Sequence, residues 1–129
     1  MASKPETKIV KKCMALLNKK YPGFYFKTHG GPYQKAGLPD IIGVYRGRFI
    51  GVEIKCPGKE DTLTDLQSKT ISRIVLAGGI AFMATSPQQI DEILEEELNH
   101  GNQKLKSRKN QEADGYKIRS KRETFFRGI

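Results

Sequence analysis

Apolar residues at Ile9, Val10, Cys13, Met14, Leu16 and Leu17 recur at helical spacing, so the stretch Pro5 to Lys20 predicts an amphipathic helix. Shorter apolar runs follow, predicting strands over 24–29, 40–46 and 49–56. Between the last two, Arg46-Gly47-Arg48 reads as a tight hairpin turn with a glycine available for positive φ. Leu63, Leu66, Thr70, Ile71 and Ile74 form a second helical stripe over 63–78, opened by Thr62 or Thr64 and ended by Gly78-Gly79. A strand over 80–85 and a helix over 87–98 complete the order. This is an α/β pattern with a mixed central sheet of about four strands flanked by helices. The crossover from strand 49–56 through a helix to strand 80–85 implies parallel pairing.

At 129 residues the chain is long enough for one domain with its own core, placed at 1–99, followed by a basic tail over 100–129. Tail residues 101–114 are polar and read as mobile, Tyr116 to Arg119 has the pattern of a short strand, and Phe125-Phe126 suits docking on the core or on a partner subunit. The two cysteines, Cys13 and Cys56, fall on buried faces and fit reduced thiols in a cytoplasm-like compartment. No signal-peptide pattern, long apolar span or His/Cys zinc spacing is read in these residues, so neither secretion, a membrane span nor a zinc site is expected.

Charge is uneven along the chain. Residues 1–60 carry 12 basic against 4 acidic side chains, 61–100 carry 2 against 7, and 101–129 carry 9 against 3. The blocks are therefore +8, −5 and +6. The acidic block, with Asp91, Glu92, Glu95, Glu96 and Glu97, is expected to face solvent, while the basic front half and tail suit a polyanion.

The chemistry concentrates at two neighbouring strands. Asp40 opens the run Ile41-Ile42-Gly43-Val44-Tyr45, and Glu53 and Lys55 stand two apart in the next strand. Period-two alternation puts Glu53 and Lys55 on one face and Val52, Ile54 and Cys56 on the other. A hairpin between the strands returns Glu53 to the level of Asp40. A carboxylate pair beside an ammonium suits a hard divalent cation acting on a phosphate ester. Two more polar residues point the same way. Glu6 lies on the inward stripe of the first helix, although Ser3-Lys4-Pro5-Glu6 also fits a capping box with Ser3 as N-cap. Gln67 lies beside the stripe of the second helix, where a buried amide needs a partner: a neighbouring strand, Lys55 or a bound water. The loop from His29 to Gly37 leads straight into Asp40, and its glycines let backbone approach a ligand. Lys27 and Lys35, together with Arg46 and Arg48, are candidate contacts to a phosphate backbone; Tyr33 is a further candidate, and His29 either contacts a phosphate or caps a strand.

Glu6, Gly37-Leu38-Pro39-Asp40, Glu53-Ile54-Lys55 and Leu66-Gln67 together resemble the PD-(D/E)xK nuclease superfamily, and within it the virus-type replication-repair nuclease (VRR-NUC) domain. The resemblance spans about residues 5 to 98. It implies a restriction-endonuclease-like core, and Mg²⁺ or Mn²⁺ held by Glu6, Asp40, Glu53 and the Ile54 carbonyl. It also implies Asp40, Glu53, Lys55 and Gln67 as the catalytic set. Lys55 would assist catalysis and Gln67 would support the site. Free-standing members of this size resemble Holliday-junction resolvases and tend to form homodimers, so branched DNA and a second copy are the expected partners. Tyr21, Phe24 and Phe125-Phe126 are candidate interface residues. Action on flaps or linear duplex, a non-catalytic DNA-binding module, and an interaction protein acting through its tail are the other readings.

Overall fold

A computed structural model describes residues 4–107 of the chain. In chain order the elements are α1 (Pro5–Lys20), β1 (Phe24–Lys27), β2 (Ile41–Tyr45), β3 (Arg48–Ile54), a 3₁₀ turn (Glu60–Thr62), α2 (Asp65–Leu76), β4 (Ile80–Ala84) and α3 (Pro87–Ser107). The strands form one sheet in the order β1-β2-β3-β4. β1 and β3 both run antiparallel to β2, and β4 runs parallel to β3, as the helical crossover requires. The result is an α/β fold with a four-stranded mixed sheet between helical layers.

The two sheet faces carry different partners. Ile41, Ile50, Val52 and Ile54 point toward α1 and α3, where Val10, Cys13, Leu17, Ile90 and Leu94 close the main core. On the opposite face a smaller cluster of Ile71, Val75 and Ala81, with Leu63 and Ile74 against it, seats α2 over β3 and β4. β3 and β4 are thus covered on both sides, which explains their nearly unbroken apolar runs. Gly43 faces Tyr25 across the β1–β2 pair; a methyl there would overlap the Phe24 carbonyl and the Tyr25 ring. The Tyr25 hydroxyl in turn donates to the Tyr21 carbonyl at 2.6 Å, and the Tyr21 and Tyr45 rings meet edge to face at 5.7 Å.

Several expectations shift. The hairpin turns on two residues, Arg46 and Gly47, both at positive φ (49° and 81°), which matches the twist of the flanking strands. α1 starts after Lys4 as N-cap, with no side-chain cap bond, so Glu6 does not close a capping box; Ser3 lies outside the described residues. Tyr21 is buried, its hydroxyl donating to the Asp91 carboxylate at 2.6 Å, and is unavailable as an interface residue. Asp91 does not simply face solvent either: with Glu95 it pairs with Lys20, tying α1 to α3. These contacts hold the Asp91 carboxyl below its usual range, chiefly through the Lys20 and Tyr21 hydrogen bonds. α3 continues to Ser107, past the break expected near Asn99, because only one glycine, Gly101, interrupts an otherwise helix-compatible stretch. The readings of Tyr116–Arg119 and Phe125-Phe126 lie outside the described residues. No described helix is long and apolar enough to cross a membrane.

Candidate active site

The site is assembled where β2 begins and β3 ends. The pairing Ile41↔Val52 sets Asp40 and Glu53 opposite each other one step further along. Asp40 is held from both sides. Its carbonyl accepts from the Thr28 backbone N–H at 2.9 Å, continuing the β1–β2 ladder, and the Thr28 hydroxyl donates to the Pro39 carbonyl at 2.8 Å. Its carboxylate Oδ2 accepts from the Ile54 N–H at 2.8 Å, replacing a ladder bond that β2 no longer supplies. One carboxylate oxygen is thereby fixed and the side chain is oriented toward Glu53.

Glu53 lies near the C-terminal end of β3, an inner strand of the sheet, and is only 3% exposed. Burial first, then the adjacent Asp40 carboxylate, pushes its carboxyl up to about 9, with the Lys55 ammonium opposing and Glu6 adding a smaller upward push. At neutral pH the cation-free site therefore keeps a proton on Glu53, which can donate to Asp40. Lys55, just past the end of β3, has its Nζ 4.0 Å from Glu53 Oε1. Its backbone N–H donates to the Ala84 carbonyl at 3.0 Å, so it is anchored to the end of β4.

Gln67 reaches the same carboxylate from α2. Thr64 is the N-cap: its hydroxyl accepts from the Gln67 N–H at 3.1 Å, and Gln67 Oε1 accepts from the Thr64 N–H at 2.9 Å. That capping box fixes the amide so that its Nε2 donates to Glu53 Oε1 at 3.2 Å. Gln67 is thus a partner of Glu53, not of Lys55. The T-x-x-Q spacing was a readable signal for this, since Gln67 occupies N3 of a Thr-capped helix.

Glu6 approaches from the other side. It lines a cleft of about 350 Å³ with Lys4, Thr7, Val10, Lys27, Thr28, His29 and Asp40. Lys27 and His29 therefore stand at the same opening as Asp40. Lys35 and Tyr33 are exposed on the loop between β1 and β2 and do not line this cleft. Gln34, which nothing in the pattern singled out, organises that loop by accepting from the His29 and Gly30 N–H groups at 3.1 Å each. Arg46 and Arg48 are elsewhere. They lie at the turn end of the hairpin, about 17 Å of strand or more from Glu53. Arg46 stacks over the Tyr45 ring, and Arg48 donates to the Gly78 carbonyl at 3.1 Å. The structure does not bring them to the carboxylates.

Among the described residues, no three His, Cys, Asp or Glu side chains converge tightly enough to hold an ion as they stand. The pair Asp40–Glu53 fits a hard cation nonetheless. Two adjacent carboxylates, one of them buried, need either a proton or a cation to offset their repulsion. Glu6, across the cleft, supplies a third oxygen donor within the same opening. No protein-family model matches this sequence, nor does any curated protein.

Proposed function

We propose that this protein is a Mg²⁺- or Mn²⁺-dependent endonuclease of the PD-(D/E)xK kind, of the VRR-NUC type, that hydrolyses DNA phosphodiester bonds. The observation that carries the reading is the buried Glu53 carboxyl, opposed by Asp40 and contacted by Lys55 and by the capped Gln67. A structural ion pair has no need of a second acid beside the first. Asp40 and Glu53, with Glu6 or the Ile54 carbonyl, would hold a divalent ion, which would supply Lewis acidity and a nucleophilic water at neutral pH.

The chain's own groups do the rest. Ile54 N–H fixes one Asp40 oxygen, leaving the other for a ligand. Gln67 holds the Glu53 carboxylate in one rotamer, so the acid pair is preorganised. Lys55, nearly buried, places a positive charge where negative charge grows on a phosphoryl group. Lys27, at the mouth of the cleft, suits a neighbouring phosphate, and exposed Lys35 on the β1–β2 loop suits one further along the strand. Branched DNA such as a four-way junction is the proposed substrate, and two symmetric cuts there call for a homodimer.

The test is cleavage of a panel of junction, flap, splayed-arm and linear duplex DNA with Mg²⁺, Mn²⁺ or EDTA. Asp40→Asn, Glu53→Gln and Lys55→Ala should each remove metal-dependent cutting by roughly a hundredfold or more while the protein stays folded. Undiminished cutting by Lys55→Ala, or cutting that EDTA does not stop, refutes the reading.

A further inference from the structure

The face of the sheet that carries Glu53 is only half covered. α2 spans β3 and β4, and among the described residues no helix lies over the β1–β2 half of the same face. Strand alternation places Phe24 and Phe26 of β1, Ile42 and Val44 of β2 and Phe49 of β3 there, in the cross-strand rows Phe24↔Val44↔Phe49 and Phe26↔Ile42. Phe24 is 69% exposed, Phe26 47%, Val44 45% and Phe49 39%. Three phenylalanines on one open sheet face are an apolar surface that water solvates poorly. The Phe24 and Phe26 rings stand 6.0 Å apart, inclined at 67° in an edge-to-face pair.

This surface leads to the acids. The row after Phe26↔Ile42 on the same face is Thr28, Asp40 and Glu53, about 7 Å further along the strands. One wall is the side of α2 that carries Leu66 and Thr70, which pack against Gly37 of the loop. Arg73, three residues beyond Thr70, lies on that same side and is exposed.

We infer that the open β1–β2 face is a stacking platform for unpaired bases of the substrate strand, with Phe24 and Phe26 as its rings. This deepens the nuclease reading above and rests on it for the identity of the polymer. Aromatic rings beside cationic side chains suit single-stranded nucleic acid, since every base offers a π-face and every step a phosphate. Charge complementarity selects this occupant over a second copy. Exposed Arg73 on the α2 wall, and exposed Lys35 on the loop that Gly37 seats against α2, put positive charge beside the rings that phosphates would meet and that a second copy of the same face would oppose with like charge. A homodimer would then use another surface.

The test is binding in EDTA, where nothing is cut. Anisotropy would compare a blunt duplex with the same duplex bearing a short single-stranded arm, and 2-aminopurine placed in the arm would report stacking by quenching. The wild-type protein should favour the armed duplex and quench the probe. Phe24→Ser with Phe26→Ser should lose about tenfold or more in affinity for the armed duplex with blunt binding unchanged, and quenching should vanish. Phe24→Tyr with Phe26→Tyr should retain both. An arm preference that survives the serine pair overturns the inference. So does loss of self-association in sedimentation with arm preference intact, which would make the face a contact between copies. Quenching by a protein that never cuts DNA would strike the nuclease reading alone, and cutting without quenching would strike this one alone.

Discussion

Replacing Glu53 by glutamine tests the site where its physics is most exposed. In the cation-free protein burial and Asp40 raise this carboxyl from 4.5 to about 9. Below pH 4.5 both folded and unfolded chains carry the proton, and the group's contribution is fully present. Between 4.5 and 9 the unfolded chain ionises while the folded one keeps its proton, so stability falls as pH rises and the loss is complete above 9. At about 1.4 kcal/mol per pH step the ceiling is about 6 kcal/mol, and relaxation around a buried ion brings it down to several. A domain of this kind has only about 5–15 kcal/mol to lose. Urea unfolding in EDTA at pH 5, 7 and 9 should therefore show the wild-type midpoint dropping by about 1 M or more, given a slope of roughly 1–3 kcal/mol per M. Glu53→Gln carries no ionisable group there, so its midpoint should hold and exceed that of the wild type at pH 9. Adding Mn²⁺ at pH 8 should raise the wild-type midpoint and not that of the variant, because the cation replaces the proton between Glu53 and Asp40. Midpoints of the two proteins that run parallel from pH 5 to 9 would refute the reasoning.

Three further outcomes follow from the geometry. Glu6→Gln removes no cap bond, since α1 has none from a side chain; its urea midpoint should match wild type within about 0.5 kcal/mol while metal-dependent cutting falls, and normal cutting would detach Glu6 from the site. Burial pushes the Cys13 thiol up to about 12, so in the native protein at pH 7.5 an alkylating reagent should modify the half-buried Cys56 first, with Cys13 reacting only after unfolding, as mass spectrometry would show. Gly43→Ala should destabilise by about 1–3 kcal/mol in chemical unfolding, since its methyl would meet Phe24 and Tyr25 backbone that a rotamer change cannot move.

Much of the fold was legible because its signals are local. The α1 stripe, the Arg46-Gly47 hairpin and the apolar runs of β3 and β4 each follow from spacing within a few residues, and element type came through with ends within two residues, except that α3 runs on from the expected end at 98 to Ser107. The pairing of Asp40 with Glu53 was readable for the same reason: a two-residue turn fixes register, and register fixes which side chains oppose. The capping box over Ser3 and Glu6 failed because the motif is degenerate, and a proline at N1 starts α1 after Lys4. Arg46 and Arg48 were grouped with the site by their charge, which says nothing about which end of a strand a residue occupies.

By itself, then, the sequence determined the elements, the hairpin register and hence the acid pair, all short-range consequences of turn geometry and side-chain alternation. Only the tertiary structure decided that Glu53 is buried, that the Thr64 cap aims Gln67 at it, that Glu6 opens onto Asp40 across the cleft, and that α2 leaves Phe24 and Phe26 uncovered. Those depend on how layers pack, and packing is settled between residues far apart in the chain, where no local pattern carries the information.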